Sequence, residues 1–247
     1  MRLDIVDRTG STNMLLKEIA GRMRHTAGSV PSPWALAAGY QTAGRGAGQN
    51  SWFSSERKNI LLSIYFETGL EASRQFLFNM FFSVASRDFI ARFLPEVKIK
   101  WPNDIYVRDR KIAGILIEHS VRKNIIDSTV AGIGININEE SFPEEIPNPT
   151  SLFLEMKTNY NVEALIREYL DTIERRLPLL ESGNEEVLKD TYLKEIYRLN
   201  EKQTLASEGK SFSGIIRGVD EFGRLEVENC LDNEVKCYGF KEIKYII

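Results

Sequence analysis

The sequence predicts an α+β protein, a mixed β-sheet packed with helices and followed by a small antiparallel β-barrel. Three observations carry that expectation. Strand-like runs are interleaved with helical three- and four-residue spacing through the first two-thirds of the chain. From Gln203 onward the pattern changes to short alternating stretches separated by turns. At 247 residues and 43% hydrophobic content, the chain also exceeds the usual single core, which suits one large domain and a small second one. The boundary is placed near Asn200, giving residues 1–199 and 200–247.

Taken in order, Leu3 to Val6 reads as a short strand, and Met14, Leu15, Ile19 and Met23 mark an amphipathic helix with Ser11 or Thr12 as its N-cap. Trp34 to Tyr40 is a second strand, Gly44 to Gly48 a glycine-dense loop, and Asn59 to Phe66 a fully buried strand. Glu71 to Leu94 predicts one long, mostly buried helix closed by Pro95. Val97 to Lys100 and Ile105 to Val107 are short strands, and Lys111 to His119 with Ser128 to Asn138 forms a hairpin pair. Phe142 to Pro149 is a proline-rich, acidic loop. Helices resume at Leu152, then from Asn161 to Leu180 and from Glu185 to Leu199. Phe212 to Val219, Arg224 to Glu228 and Glu234 to Phe240 are the barrel strands, divided at Asp-Glu-Phe-Gly and Leu-Asp-Asn turns.

The charges nearly cancel: 32 Lys and Arg against 35 Asp and Glu leave a formal charge of −3. Such a chain has no global positive field for nucleic acid or an anionic membrane, so any anionic ligand must be held locally. Its apolar runs, such as Ile60 to Phe66, fall far short of the roughly 18 to 20 residues that span a bilayer. Charges occupy the start of the chain where a secretory signal has its apolar core, so a cytoplasmic location is expected. Cys230 and Cys237 are too few for a disulfide framework and lack a CxxC spacing, which predicts two reduced thiols.

Three clusters could carry chemistry. Gly44-Arg-Gly-Ala-Gly48 can bring main-chain N–H groups to an anion without Cβ interference, with Arg45 adding bidentate contacts; the bland alternative is a flexible connector. Lys100-Trp-Pro-Asn-Asp104 and Asp109-Arg-Lys111 bring ammonium, amide and carboxylate groups around short strands, where a carboxylate can hold Mg²⁺ or orient an amine; the second is equally readable as a solvated turn. Ala131-Gly-Ile-Gly-Ile-Asn136 places glycines inside a strand, which marks a ligand or a tight packing contact against the backbone. His25 and His119 have no partners at metal-ligand spacing, and the absence of GxSxG leaves a Ser-His-Asp hydrolase without support.

In chain order, Gly10-Ser-Thr-Asn13, Tyr40-Gln-Thr-Ala-Gly-Arg-Gly46 with Trp52, Lys100-Trp-Pro-Asn-Asp104, Arg110-Lys-Ile-Ala-Gly114 and Gly132-Ile-Gly-Ile-Asn136 resemble the motif series of biotin protein ligases. The resemblance implies a class II synthetase-like catalytic domain with an SH3-like C-terminal barrel. It also implies a two-step reaction: biotin and ATP form biotinyl-5′-AMP and pyrophosphate, and a lysine of a biotin carboxyl carrier protein then takes the biotinyl group.

On this resemblance, Ser11, Thr12, Asn13, Gln41, Gly44, Arg45, Lys111, Gly114, Gly132 and Gly134 are expected at biotin. Arg45, Gly46, Ala47, Trp52, Lys100, Asn103, Lys111 and Asn136 are expected at ATP, with Trp52 packing on adenine or bracing the loop. Lys111, Arg45 and Asp104 are the expected catalytic groups, and Asp104 is also the expected Mg²⁺ ligand. Two departures stand out. Where the family often continues Gly-Arg-Gly with further basic residues, this chain has Ala47-Gly48-Gln49-Asn50. About nine residues precede the Ser-Thr-Asn motif, so neither a DNA-binding winged helix nor repressor activity is expected. The expected partners are the carrier protein, biotin and ATP, without DNA or membrane, and edge strands of such a sheet can pair two copies into a homodimer. A lipoate-type ligase or acyltransferase is the alternative enzyme, and a biotin-binding module that has lost transfer is the non-enzymatic one.

Overall fold

The computed structural model describes residues 1–181 and 183–246. Twelve strands form: β1 (Arg2–Thr9), β2 (Trp34–Gln41), β3 (Ile60–Glu71), β4 (Val97–Lys100), β5 (Asp104–Val107), β6 (Arg110–Arg122), β7 (Ile125–Ile135), β8 (Lys202–Ser207), β9 (Lys210–Val219), β10 (Leu225–Asn229), β11 (Val235–Tyr238) and β12 (Lys244–Tyr245). The helices are α1 (Thr12–Ala27), α2 (Phe76–Ile90), α3 (Leu152–Met156), α4 (Val162–Arg176) and α5 (Glu185–Lys194).

The first seven strands make one sheet in the order β1-β2-β3-β7-β6-β5-β4, parallel at β1–β2 and antiparallel elsewhere. The last five make an antiparallel sheet, β11-β10-β9-β8-β12. This is the mixed α+β architecture that the sequence predicts.

Alternation along the strands divides the large sheet into two faces. Leu62, Ile64 and Phe66 of β3 face α2, whose Phe78, Phe81, Phe82 and Phe89 are almost completely enclosed. Phe66 meets Phe82 at a 5.8 Å ring separation, and Phe89 meets Tyr169 of α4 at 5.3 Å. The opposite face carries Trp34, Leu36, Tyr65 and Val130 against Leu16 and Ala20 of α1. That second cluster covers only part of the face, and the functional cavity lies beyond it.

Several boundaries differ from the sequence expectation. The helix expected from Glu71 begins at Phe76, because β3 continues past a bulge to pair Leu70 and Glu71 with Ile126 and Ile125. It ends at Ile90 rather than Leu94, as Phe93 donates to Ile90 O in a tightened last turn. Pro178 offers no N–H, so α4 stops at Arg176 and a 3₁₀ turn follows. Beyond α5, Ile196 and Tyr197 leave the helix to extend the β4 edge: Ile99 N–H donates to Glu195 O at 2.7 Å and Tyr197 N–H to Ile99 O at 2.8 Å. The terminal sheet has five strands where the sequence predicts three; β8 and β12 are short and half exposed.

Cys230 is half-buried, Cys237 exposed, and both are free thiols. Among the described residues, no helix is long and apolar enough to cross a membrane.

Trp101 ties the two sheets together. It is 7% exposed, and its Nε1–H donates to the carbonyl of Gly223 in the β9–β10 turn at 2.9 Å. Trp101→Phe leaves that buried carbonyl unpaired and is expected to lower stability by about 2 kcal/mol. Urea denaturation with an unchanged m-value and a lower midpoint is the check; an unchanged midpoint rejects the role.

Candidate active site

The β6–β7 pairing decides what lies on the open face. Gly114 faces Gly134, Leu116 faces Gly132 and Glu118 faces Val130, while Ser63 and Leu61 of β3 pair with Gly132 and Gly134. With a period of two, Gly114, Leu116, Glu118, Gly132, Gly134, Leu61 and Ser63 share one side of the sheet. Three of these positions carry no side chain. A cavity of about 860 Å³ opens there, walled by the start of α1, the Gly44–Trp52 loop, β4–β6 and the C-terminal sheet.

The N-terminus of α1 forms one wall. Ser11, Thr12 and Asn13 are all buried. Ser11 occupies the N-cap position in extended conformation but makes no side-chain cap bond. Gln41 of β2 caps the helix instead, with its Oε1 accepting from Thr12 N at 2.8 Å and from Thr12 Oγ1 at 3.0 Å. Ser63 Oγ lies 2.7 Å from Thr12 Oγ1 and 2.5 Å from Asn13 Oδ1. Asn13 Nδ2 in turn donates to Glu118 Oε2 at 2.9 Å and to Leu116 O at 3.3 Å. The amide is thereby oriented, with Nδ2 toward the strand and Oδ1 toward Ser63.

Glu118 closes this network. Lys17 Nζ and Arg45 Nη1 stand 3.1 Å and 3.3 Å from its Oε1. Burial by itself would raise the carboxyl group's pKa, but hydrogen bonds from Asn13 and Lys17, with the charges of Lys17 and Arg45, outweigh it and hold the group below the usual carboxylate range.

The glycine loop is a small hairpin rather than an open connector. Arg45 and Ser51 form a bridge, Gly46 N–H donates to Asn50 O at 2.8 Å, and Trp52 N–H donates to Gly44 O at 3.0 Å. Gly46 therefore spends its N–H inside the loop and offers a ligand only a bare surface. Gly44 packs against Trp52, where a Cβ would stand 2.5 Å from Trp52 O, and it is not among the cavity-lining residues.

Trp52 lies over the sheet glycines. A Cβ at Gly134 would overlap its indole, and one at Gly114 would come 3.0 Å from Cζ3. At Gly132 the added atom would collide with the Asn13 amide. The glycines make room for the protein's own Trp52 and Asn13, and all three also line the cavity. Trp52 Nε1–H is buried and has no hydrogen-bond partner among the described residues.

Lys111 Nζ contacts Asp104 Oδ1 at 2.6 Å. Its main chain is held on both sides, with Lys111 N–H donating to Asn148 O at 2.7 Å and Thr150 N–H donating to Lys111 O at 2.8 Å. Lys100 Nζ lies 3.1 Å from Tyr106 Oη and 5.0 Å above the ring of Tyr245 from the second sheet. Burial pushes this ammonium below the ordinary lysine range, Lys111 adds to the effect, and Asp104 opposes it.

Asn103 lines the cavity, but its Nδ2 donates to Ile115 O at 2.6 Å, tying it to β6. Asn136, expected at ATP, is 4% exposed and outside the cavity lining, and its Nδ2 donates to Thr150 O at 2.9 Å. Through Thr150 it steadies the segment that grips Lys111. His119 belongs to the packing, with Nδ1 2.9 Å from Thr129 Oγ1.

The structure thus gathers Ser11, Thr12, Asn13, Gln41, Arg45, Gly46, Ala47, Trp52, Lys100, Asn103, Asp104, Lys111, Gly114, Gly132 and Gly134 around one cavity, and leaves Gly44 and Asn136 behind it. Sequence reasoning missed Ser63 and Glu118, although both were accessible: Ser63 is the polar break in an apolar run, and Glu118 sits at even spacing from Gly114. Tyr106, Phe240, Lys241, Lys244 and Tyr245 also line the cavity, and nothing local in the sequence marks those from the terminal sheet.

Residues 7–136 match the biotin/lipoate A/B protein ligase family. The biotin–[acetyl-CoA-carboxylase] ligase of Mycobacterium tuberculosis is 30% identical, over 94% of this chain and 83% of that protein. The bifunctional ligase/repressor BirA of Escherichia coli is 28% identical, over 92% of this chain and 68% of its own length. Among solved structures, the Aquifex aeolicus biotin protein ligase in complex with biotin and ATP superposes with a TM-score of 0.76 at 22% identity, over 99% of each chain, a likeness of fold. On the family match and the relative from Mycobacterium tuberculosis, the chain belongs to the biotin/lipoate A/B protein ligase family.

Proposed function

We propose that this protein is an ATP-dependent biotin protein ligase. The observation that carries the reading is a single cavity whose α1 end is a row of oriented hydroxyl and amide groups and whose other side is lined by Arg45, Lys100 and Lys111. The first feature suits a ureido ring, which needs donors and acceptors together. The second suits a carboxylate reacting beside phosphate. A lipoyl or octanoyl chain has no ureido group to match the polar wall of Ser11, Thr12, Asn13 and Gln41, and intact Arg45, Lys111 and Asp104 oppose a purely binding role.

In this reading Ser11, Thr12, Asn13 and Gln41 hold the ring, and the buried Trp52 Nε1–H supplies a donor to an acceptor in the occupied cavity. Arg45 and Lys111 leave Glu118 and Asp104 to meet the biotin carboxylate and the α-phosphate. A carboxylate oxygen forms the new bond to phosphorus while the bond to pyrophosphate breaks, and the cations stabilise the charge that builds on the phosphate oxygens. In the second step the acceptor lysine's amine attacks the acyl carbon. The C–N bond forms, the C–O bond to AMP breaks, and the amine releases its proton.

Asp104, half exposed on the cavity wall, orients that amine. It is also the carboxylate that would hold Mg²⁺, which would supply positive charge to the triphosphate. The acceptor is a lysine of a biotin carboxyl carrier protein.

Incubation with biotin, ATP, Mg²⁺ and a carrier domain should add one biotinyl group to the carrier, read by mass; no increase rejects the assignment. Lys111→Ala is expected to reduce biotin-dependent ATP–pyrophosphate exchange by about 10²- to 10³-fold, with little change in thermal midpoint because the half-exposed ammonium contributes little packing. Unchanged exchange would exclude Lys111.

Glu118 divides into two roles that two variants separate. Glu118→Ala removes the acceptor that orients Asn13 and is expected to weaken biotin binding about tenfold. Glu118→Gln keeps an oxygen for Asn13 and removes the counter-charge of Arg45, so biotin affinity should stay within about threefold of the parent. Equal losses in both variants, measured by calorimetry, would contradict the orienting role.

A further inference from the structure

Trp52 covers Gly114 and Gly134, and Lys111 Nζ stands 5.8 Å from the centre of its ring. The indole that roofs the sheet glycines and the central ammonium of the cavity therefore meet, although their segments are far apart in the chain. Neither is fixed by the nearest helix or strand alone. Residues 53–59 lead from Trp52 to the start of β3 without forming a helix or strand. Lys111 is gripped by residues 148–150, part of a connection from β7 to α3 whose one bridge is Pro149 with Lys111.

Both connections are rooted on one buried side chain. Glu139 is 2% exposed, and its Oε1 accepts from Ser55 N–H at 2.5 Å and from Asn59 Nδ2 at 2.7 Å, while its Oε2 accepts from Ser55 Oγ at 2.9 Å. Asn59, equally buried, completes the joint: its Oδ1 accepts from Ile137 N–H at 2.8 Å and its Nδ2 donates to Ser54 Oγ at 3.0 Å. The stretch that follows Trp52 is thus stitched to the end of β7 by directional bonds.

On its main-chain side, Glu139 O accepts from Ser151 Oγ at 2.6 Å, and Leu152 N–H donates to Asn136 O at 3.1 Å. These bonds close the neck of the 140–150 segment. Asn148 O and Thr150 N–H of that segment hold the main chain of Lys111, and Pro147 and Asn148 line the cavity. Phe53 and Phe142 add a second contact between the two connections, edge to face at 6.3 Å.

A carboxyl group is a costly anchor unless every oxygen is hydrogen-bonded. Lys58, beside Asn59, pairs with Glu140 at 2.6 Å, so Glu139 relies on its three donors. Three donors converging on two oxygens fix the direction of the Ser55 backbone as well as its distance, which an apolar contact would not do.

We propose that Glu139 is a positioning residue of the reaction: it sets Trp52 and Lys111 against each other by anchoring the two segments that hold them. Glu139 itself lies outside the cavity lining and touches no reacting atom. The proposal rests on the reading of this cavity as a ligase site, and it adds the device that keeps the roof and the catalytic lysine in one geometry. A displacement of about 1 Å at such a site costs about 10²-fold in rate.

The parent, Glu139→Ala, Glu139→Gln and Ser55→Ala chains are compared in biotin-dependent ATP–pyrophosphate exchange at a temperature where circular dichroism shows each folded, and by amide hydrogen exchange read by mass. Glu139→Ala should lower kcat about 30- to 100-fold. It should also speed amide exchange in residues 44–59 and 139–151 together, with β3, β6 and β7 protected as in the parent. Glu139→Gln keeps an acceptor for Ser55 N–H and Asn59 and a polar partner for the Ser55 hydroxyl, so its kcat should stay within about threefold of the parent. Ser55→Ala removes one of the three bonds and should lower kcat about threefold to fivefold, which carries the test if Glu139→Ala does not fold. With Lys111→Ala already present, Glu139→Ala should cost less than about fivefold more, because one of the positioned groups is gone.

Unchanged kcat in Glu139→Ala, or in Ser55→Ala if the former does not fold, overturns the proposal. So does an equal loss in Glu139→Gln, a loss that multiplies in full with that of Lys111→Ala, or loosening spread across the whole sheet. A parent without exchange activity whose two segments still loosen together in Glu139→Ala would refute the ligase reading and leave the joint anchoring standing.

Discussion

Everything about this molecule depends on the two-residue alternation of β6 and β7, because that pleat gives one sheet two faces with incompatible roles. One face is apolar and enclosed by α2, α4 and α5. The other carries Gly114, Gly132 and Gly134 beside Glu118 and Ser63. A one-residue slip in the register would bury Glu118 under phenylalanines and empty the core into the cavity. The core is thus what holds the site in register, and the site's glycines are tolerated because neighbouring strands and the α2 face stabilise the sheet.

Electrostatics adds a second layer. The cavity's cations do not stand free on a positive surface; Arg45 and Lys111 are each held by a carboxylate, and Lys100 is partly desolvated. Carboxylate partners keep these groups positioned without a ligand and can be exchanged for phosphate or carboxylate oxygens when one arrives. Glu118 serves twice in this scheme, as a counter-charge for Arg45 and as the acceptor that fixes which way the Asn13 amide faces. Glu118 therefore joins the hydroxyl and amide row to Arg45 of the glycine loop in one network.

Much of the fold and of the cavity is legible in the sequence, and the gaps have physical causes. Strands with continuous apolar runs and the amphipathic α1 are readable because burial on a sheet face or helix stripe leaves a period in the chain. The start of α2 is not, because residues 67–71 have no helical or strand period strong enough to compete with pairing to β7, a long-range contact. Ser11 has the residue type of a helix cap, but Gln41 is near enough in space to cap Thr12, which frees Ser11 to face the cavity. Asn136 sits in the expected motif and still faces the segment around Thr150.

By itself the sequence determined the α+β class, the two sheets, and most of the residues that surround the cavity, because alternation, glycine placement and motif order are local properties. Tertiary structure alone decided which atoms each residue meets. It put Trp52 over Gly114 and Gly134, turned Asn13 toward Glu118, withdrew Asn136 into the wall, and brought Lys241 across from the terminal sheet to Gly48. Those outcomes depend on distances between segments far apart in the chain, and no local pattern encodes them; they emerge when the core closes and the two sheets dock through Trp101 and Gly223.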